Sequence, residues 1–503
     1  MLSDPYKCDM ESSYIQIIKL HIFMTPIKTG SLKELWKISF PLMISLMSTF
    51  MMLFVDRLYL TKYSHEALRA CVTSGTLAWS MILGWITLAT LSEVFVAQLN
   101  GAKKYDQLAS PVWQMIWLSL LSTVFFIPMA IYGSEAIYPY DTHRLEQTYF
   151  MWMMFTGPFA VFLASITAFY IGQGKSNVAK WWSIFGNLVN IGFDAILIFG
   201  IDNFIPEMGI AGAAIATFLG YVVESVCLFF VFLSKSNRDA YNTHDFSLKP
   251  ALFKQCFKIG LPPAVFSTLE VFAWAIFYSM MAKLSFEHIF IGGICQSILF
   301  LFIFFGMGLE KGAASVAGNL IGAGKKSQVK NVLLSGTKLV LIYALLMISV
   351  FYIYPDPIIN LFLQNPEAIE SLENTNLVLS FEEVEHYREL TKKGLLLIAA
   401  YLTFENFRWL LSGMLTAAGD TFFLMIAGSS SVWLFLIAPT YYFIVLNQGT
   451  ILQAFAIWVI YSLGISITYF FRFANGNWKE KTLIDSEREE NHYFSVSEDY
   501  EEF

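Results

Sequence analysis

The sequence predicts an all-α polytopic membrane protein with about twelve transmembrane helices in two six-helix lobes, related as a parallel pseudo-two-fold repeat. Three observations predict it. Of 503 residues, 56% are hydrophobic, 17% aromatic and only 14% charged, a balance that a water-soluble chain of this length does not reach because its surface must be polar. The apolar residues fall in runs of about 20 or more, the length a helix needs to cross roughly 30 Å of hydrocarbon at about 1.5 Å per residue. Segments of the first half also recur in the second at a fixed offset, as in many secondary transporters.

Taken in order, residues 1–32 read as an N-terminal cytoplasmic segment. Asp4, Asp9 and Glu11 precede any apolar run, unlike a cleaved signal peptide, so the first span is expected to be retained. An N-lobe over 33–234 holds spans near 37–60, 73–97, 111–133, 149–171, 179–200 and 209–233. A cytoplasmic linker, 235–252, leads to a C-lobe over 253–472 with spans near 257–282, 289–316, 333–354, 394–417, 422–446 and 450–472. An acidic outer loop at 364–390 reads as solvated. The tail over 473–503 is acidic and lacks a helical apolar stripe, so it is expected to be disordered.

Lys and Arg sort by side. Lys103, Lys104, Lys175, Lys235, Arg238, Lys249, Lys254, Lys325, Lys326 and Lys330 fall on the N-terminal side of the membrane, as do Lys28 and Lys33. The opposite side has fewer, chiefly Lys62, Arg69, Arg144, Lys283, Arg388, Lys392 and Lys393. That bias predicts a multi-pass protein of the cell (inner, cytoplasmic) membrane with both termini in the cytoplasm.

The repeat sets "LWKISFPL" against "CFKIGLPP", pairing Pro41 with Pro262, and "AQLNGAKK" against "AGNLIGAGKK", pairing Gln98 with Asn319 and Gly101 with Gly322, each 221 residues apart. "GQGKSN" and "AAGDTF" pair Gly174 with Gly419 at 245, the added length being the acidic loop. Six spans per copy bring both copies into the membrane from the same side.

An ionisable group inside a span is costly, so each such group is a functional candidate. Asp56 lies in "FMMLFVDRLYL". Ser183, Asn187, Asn190 and Asp194 share one face of span five, and Thr217 follows the small residues of "GIAGAAIAT" in span six. Oxygens converging from three helices suit a small hard cation, or a carboxylate pair sharing a proton, and the residues alone leave both open. In the second lobe Glu270 shares a face with Ser267 and Trp274, a pairing suited to an organic cation or a proton. Glu405 and Arg408, i and i+3, read as a structural pair. Glu224, Glu310 and Lys311 stay unassigned, and Asp420 reads as a helix-end residue as well as a candidate.

Other chemistries find no motif. "IGQGKSN" lacks the leading glycine of a P-loop, since Phe169 stands there. The five cysteines are scattered with no ligand spacing, and no HExxH or GxSxG occurs, so neither an enzyme nor a cofactor is expected.

In "FVDRLYL", "VAQLNGAKK", "NLVNIGFDAILIFG" with "GIAGAAIAT", "STLEVF" and "AAGDT" the chain resembles the multidrug and toxic compound extrusion (MATE) family over nearly all of 33–472. The resemblance implies a V of two lobes that exports amphipathic or cationic small molecules in exchange for H⁺ or Na⁺ by alternating access. It implies a coupling site at Asp56, Asn190, Asp194 and Thr217, and second-lobe carboxylates at Glu270 and Asp420, which with Trp274 from the residue reading make the expected second-lobe coupling or substrate site. Arg57, directly after Asp56, and the acidic loop depart from the family pattern. The expected partners are a small-molecule substrate and the lipid bilayer, with no nucleic acid, and the chain is expected to work as a monomer. A lipid-linked oligosaccharide flippase of the same superfamily and a non-transporting receptor or scaffold are the alternatives.

Overall fold

The computed structural model describes residues 29–201, 204–363, 381–481 and 483. Twelve helices among them are long and apolar enough to cross a membrane: α1 (Leu32–Tyr63), α2 (Glu66–Gly101), α3 (Tyr105–Ile137), α4 (Tyr140–Gly172), α5 (Ser176–Phe199), α6 (Ile210–Phe232), α7 (Pro250–Met281), α8 (Phe290–Gly322), α9 (Lys326–Ile353), α10 (Glu383–Ala417), α11 (Thr421–Leu446) and α12 (Ile451–Asn475). No β-strand forms among the described residues beyond a single bridge between Ile201 and Ile205.

Local sequence sets the helix ends. Ser31 caps α1, its hydroxyl accepting from the Glu34 amide, while the Glu34 carboxylate accepts from the Gly30 amide at 2.6 Å. Thr450 and Gln453 form the reciprocal capping box of α12. α4 begins at Tyr140 rather than near 149, and α10 at Glu383 rather than near 394, because charged residues in a water-facing turn lengthen a helix that hydropathy alone would end. α2 and α8 each break once, at Leu91 and at Ile303.

The repeat is visible in the backbone. Left-handed residues follow α2 at Lys103 (φ 62°) and α8 at Gly324 (φ 73°), 221 residues apart, and follow α4 at Gly174 (φ 74°) and α10 at Gly419 (φ 78°), 245 apart. Between the lobes, α1 packs on α8 while α2 packs on α7 and on the last turns of α8. Each lobe thus offers its first two helices to the same two helices of the other, as a two-fold relation requires.

The linker is pinned to the N-lobe: after the short helix Lys235–Tyr241, the Thr243 carbonyl accepts from the Trp113 indole at 3.0 Å and the Lys249 amide donates to Gln114 at 2.9 Å. One expectation changes, at the other end of the chain. The tail is ordered as far as it is described, with Asn477–Glu480 forming a turn of 3₁₀ helix and Trp478 and Leu483 buried. Its partners lie far away in sequence, so local composition does not reveal them. The described part of the acidic loop, from Phe381, is helical and continues α10. The expectations for 1–28, 364–380 and 484–503 lie outside the described residues.

Candidate functional site

The polar stripe of α5 divides between its two neighbours. Asn187 turns to α1, its amide donating to Ser48 at 2.9 Å and to Thr49 at 3.3 Å. Asn190 turns to α6 and donates to the Thr217 hydroxyl at 3.3 Å, which in turn donates to the Ala213 carbonyl at 3.1 Å. α5 and α6 approach closely enough for this because Gly220 faces Asn190, where an added Cβ would sit 3.0 Å from the Asn190 Cβ. Asp194, one turn further along α5, is fully buried, and Asp56 on α1 is 3% exposed and within electrostatic reach of it.

Four oxygens of this cluster are buried without a donor: Asp56 Oδ1, Asn190 Oδ1 and both carboxylate oxygens of Asp194. Buried polar atoms in folded proteins are nearly always satisfied. Convergent orphan acceptors call for a proton or a small cation among them. Arg57 does not supply it, being exposed and about 100° round the helix from Asp56. Near the two carboxylates lie Cys71 and Tyr149, both buried, to which sequence reading gives no role.

The second lobe is built differently. Glu270 Oε1 accepts from the Tyr461 hydroxyl at 2.8 Å and lies 3.3 Å from Arg408 Nη2. Arg408 also grips Glu405 through Nε at 2.9 and 3.0 Å and through Nη2. The i, i+3 pair is therefore present, but its arginine is shared with Glu270 from α7. A cation of the chain itself stands where an organic cation was expected. Trp274 meets Trp458 edge-on at 5.1 Å and also contacts Phe277, Tyr401 and Tyr461, so its ring is a wall of an aromatic cluster.

Asp420 does not join Glu270. Its fully buried carboxylate is held by Arg472 Nε at 2.6 Å and Lys481 Nζ at 2.5 Å. Arg472 lies 11 residues beyond Tyr461 on α12, about 16 Å along the axis. The expected grouping of Glu270, Trp274 and Asp420 thus separates into an inner pair and a residue at the helix ends.

Glu93 was not foreseen. It sits in α2 just past the break, 4% exposed, with Oε1 lacking a donor, and its charged neighbours are Lys311 and Glu310 of the other lobe. "LSEVFV" reads as the end of a span, which hides how deeply the residue lies between the lobes.

The repeated loop motifs meet face to face. A Cβ on Gly101 would lie 2.0 Å from the Asn319 carbonyl oxygen, and one on Gly322 would lie 1.9 Å from that of Gln98. The Gln98 amide donates to the Ala417 carbonyl at 2.7 Å, and the Asn319 amide to the Gly172 carbonyl at 2.9 Å. Gln98 and Asn319 are 221 apart, Gly172 and Ala417 are 245 apart, so the two bonds are images of each other under the repeat. This end of the lobe seam is closed by reciprocal amide clamps.

The MatE family model matches residues 41–196 and 262–442, two segments of one lobe each. The chain belongs to the MATE family. A "Probable multidrug resistance protein NorM" of Thermotoga maritima is 22% identical over 472 residues, 91% of this chain and 95% of that protein. "Multidrug resistance protein MdtK" of Photorhabdus laumondii is 24% identical over 377 residues, 72% of this chain and 81% of that one. A solved multidrug resistance MATE family transporter of the MOP superfamily, in an outward-facing conformation, shares the fold with a TM-score of 0.75 at 18% identity, covering 91% of this chain and 100% of that one. This MATE protein is accordingly a multi-pass membrane transport protein of two lobes, and not an enzyme.

Proposed function

We propose that this MATE protein exports amphipathic or cationic small molecules in exchange for H⁺ or Na⁺, by alternating access of its two lobes. The observation that carries the reading is the set of orphan oxygens at Asp56, Asn190 and Asp194. A proton or small cation bound there satisfies the acceptors and links α1 to α5 and α6. Its departure leaves like charges facing each other in a medium of low dielectric, so occupancy changes how these helices pack. Thr217 orients Asn190 and leaves the Asn190 oxygen free to face the ion.

The lysine-rich loops and both termini are placed in the cytoplasm on this reading, so the clamped end of the seam is the cytoplasmic one. The working unit on this reading is a monomer. In the second lobe Glu270 acts apart from the coupling ion. A basic substrate reaches it by competing with Arg408, and the aromatic cluster around Trp274 supplies flat apolar contact. Drug-resistance names attach to relatives under 30% identical, so the substrate class rests on chemistry. A flippase of anionic lipid-linked sugars needs uncompensated buried cations; among the described residues the buried one is Arg408, and two carboxylates neutralise it.

The test is uptake into proteoliposomes under separately imposed pH and Na⁺ gradients. One gradient is expected to drive substrate movement, and Asp56→Asn or Asp194→Asn to reduce it at least tenfold while the protein stays monodisperse. Full transport by both variants would sink the coupling site.

A further inference from the structure

The two amide clamps are images of each other, but they are braced differently: the Asn319 oxygen accepts from Asn100 of the facing loop at 2.6 Å, whereas the Gln98 oxygen is met by the C-terminal segment. After α12 the backbone turns at Gly476 (φ 75°), and Trp478 folds back so that its indole donates to the Phe473 carbonyl at 2.9 Å and its ring stacks on Phe473 at 5.2 Å. Lys481 then reaches the buried Asp420 at 2.5 Å. Lys326, at the start of α9, donates to the carbonyls of Lys479 at 2.6 Å and Lys481 at 3.3 Å. Leu483 ends the described segment: its carbonyl accepts from Gln255 of α7 at 3.0 Å, and its amide donates to Gln98 Oε1 at 3.3 Å. The leucine side chain, 8% exposed, belongs to the apolar cluster that holds Leu88, Leu91, Val94 and Cys256.

Asp420, Lys326 and Gln255 all belong to the C-lobe, whereas Gln98 belongs to the N-lobe. The segment is therefore fastened to one lobe at three points and meets the other at Gln98, the residue that already clamps it to Ala417, and through the apolar cluster around the Leu483 side chain. We infer that residues 477–481 together with Leu483 are a latch, and that Gln98, Asp420 and Lys481 are positioning residues of the transport cycle. While the segment is docked, Gln98 is held on both sides, its amide on Ala417 and its oxygen on Leu483, and the cytoplasmic seam stays closed. Separating the lobes at this end breaks the Leu483–Gln98 contact, while the C-lobe anchors keep the segment beside its dock and ready to rebind. The asymmetry has a clear physical reading: the clamps come with the repeat, and the latch acts on only one of them.

The inference rests on alternating access as proposed above, but its test needs no substrate. Hydrogen exchange is followed in the full chain in lipid nanodiscs, without any gradient, for the seam segments 92–101 and 312–322 and for the outer turns 61–66 and 282–289. For the double variant Lys481→Ala, Leu483→Ala, exchange at the seam is expected to rise roughly five- to tenfold, the size of a modest coupling between states. Exchange at the outer turns is expected to fall, because the population moves to the opposite-facing state. Unchanged exchange in both regions, or a rise at the seam with no change outside, overturns the latch; the second pattern marks local fraying only. Should the double variant not remain monodisperse, Lys481→Ser leaves the leucine contact intact and carries the same two expectations. A reciprocal shift in a protein that moves no substrate would sink the export reading and leave the latch standing.

Discussion

At the residue scale the informative groups are the ones whose partners lie far off in sequence. Glu405 and Arg408 are legible as a pair because three residues bring side chains to one helix face. Nothing local tells that Arg408 also serves Glu270, 138 positions earlier, or that Tyr461 completes the group. Arg408→Met leaves the buried Glu405 carboxylate unpaired beside the half-buried one of Glu270 and is expected to cost about 3–5 kcal/mol, the usual penalty for breaking a buried pair from one side. Thermal unfolding in detergent reads the loss, and adding Glu405→Gln should recover part of it. Asp420 gives the same lesson in reverse. A carboxylate in "AAGDT" looks like a helix-end turn and also like a family site, and its partners, Arg472 and Lys481, show that it anchors the C-terminal segment. The Asp56 and Asp194 cluster was legible as such, because a charge in an apolar run announces its cost wherever it sits.

At the element scale, helix existence followed from apolar run length, and helix ends did not. α10 continues out to Phe381 through charges that hydropathy assigns to a loop. Asp356, from the helix Pro355–Leu363, pairs with Lys392 at 3.1 Å and with Arg388 at 3.4 Å and braces that extension. The hydrogen bond from Lys392, with the help of Arg388, holds the Asp356 carboxyl below the usual aspartate range. A lowered folded-state value means that the brace is present above the ordinary value of about 3.9 and is lost as pH falls through the folded one. A fall in hydrogen-exchange protection over 381–393, corrected for the intrinsic pH dependence of amide exchange, is therefore expected on acidification below the ordinary aspartate value. The seam makes a second demand on its elements. Gly322 meets the Gln98 backbone so closely that Gly322→Val forces the ends of α2 and α8 apart, at a cost of about 1–3 kcal/mol for overpacking. Trypsin should then cleave faster after Lys103 and Lys325 than in the unaltered chain.

At the scale of the whole molecule, the sequence repeat foretells the two-fold frame, and the frame is kept where helices cross and chain turns recur. Chemistry does not follow it. Adding 221 to Asp56 reaches Phe277, subtracting it from Glu270 reaches Thr49, and adding 245 to Asp194 reaches Pro439. The first lobe holds orphan acceptors and the second a compensated set of charges, so the halves divide coupling and substrate contact between them on the proposed reading. The unequal placing of the carboxylates behind that reading is visible in the sequence alone. The compensation by Arg408 was not, since it depends on how α7, α10 and α12 pack.

The reciprocal bonds of Gln98 and Asn319 bear on how such a frame moves. They are related by one rotation, so a rigid rock of one lobe about an axis normal to it stretches both by the same amount. The two amides are braced by different partners, Leu483 on Gln98 and Asn100 on Asn319, so an equal stretch meets unequal resistance. On the proposed alternating-access reading, parting the lobes loads both bonds at once, and a duplicated structure has set two weak hydrogen bonds against the same motion.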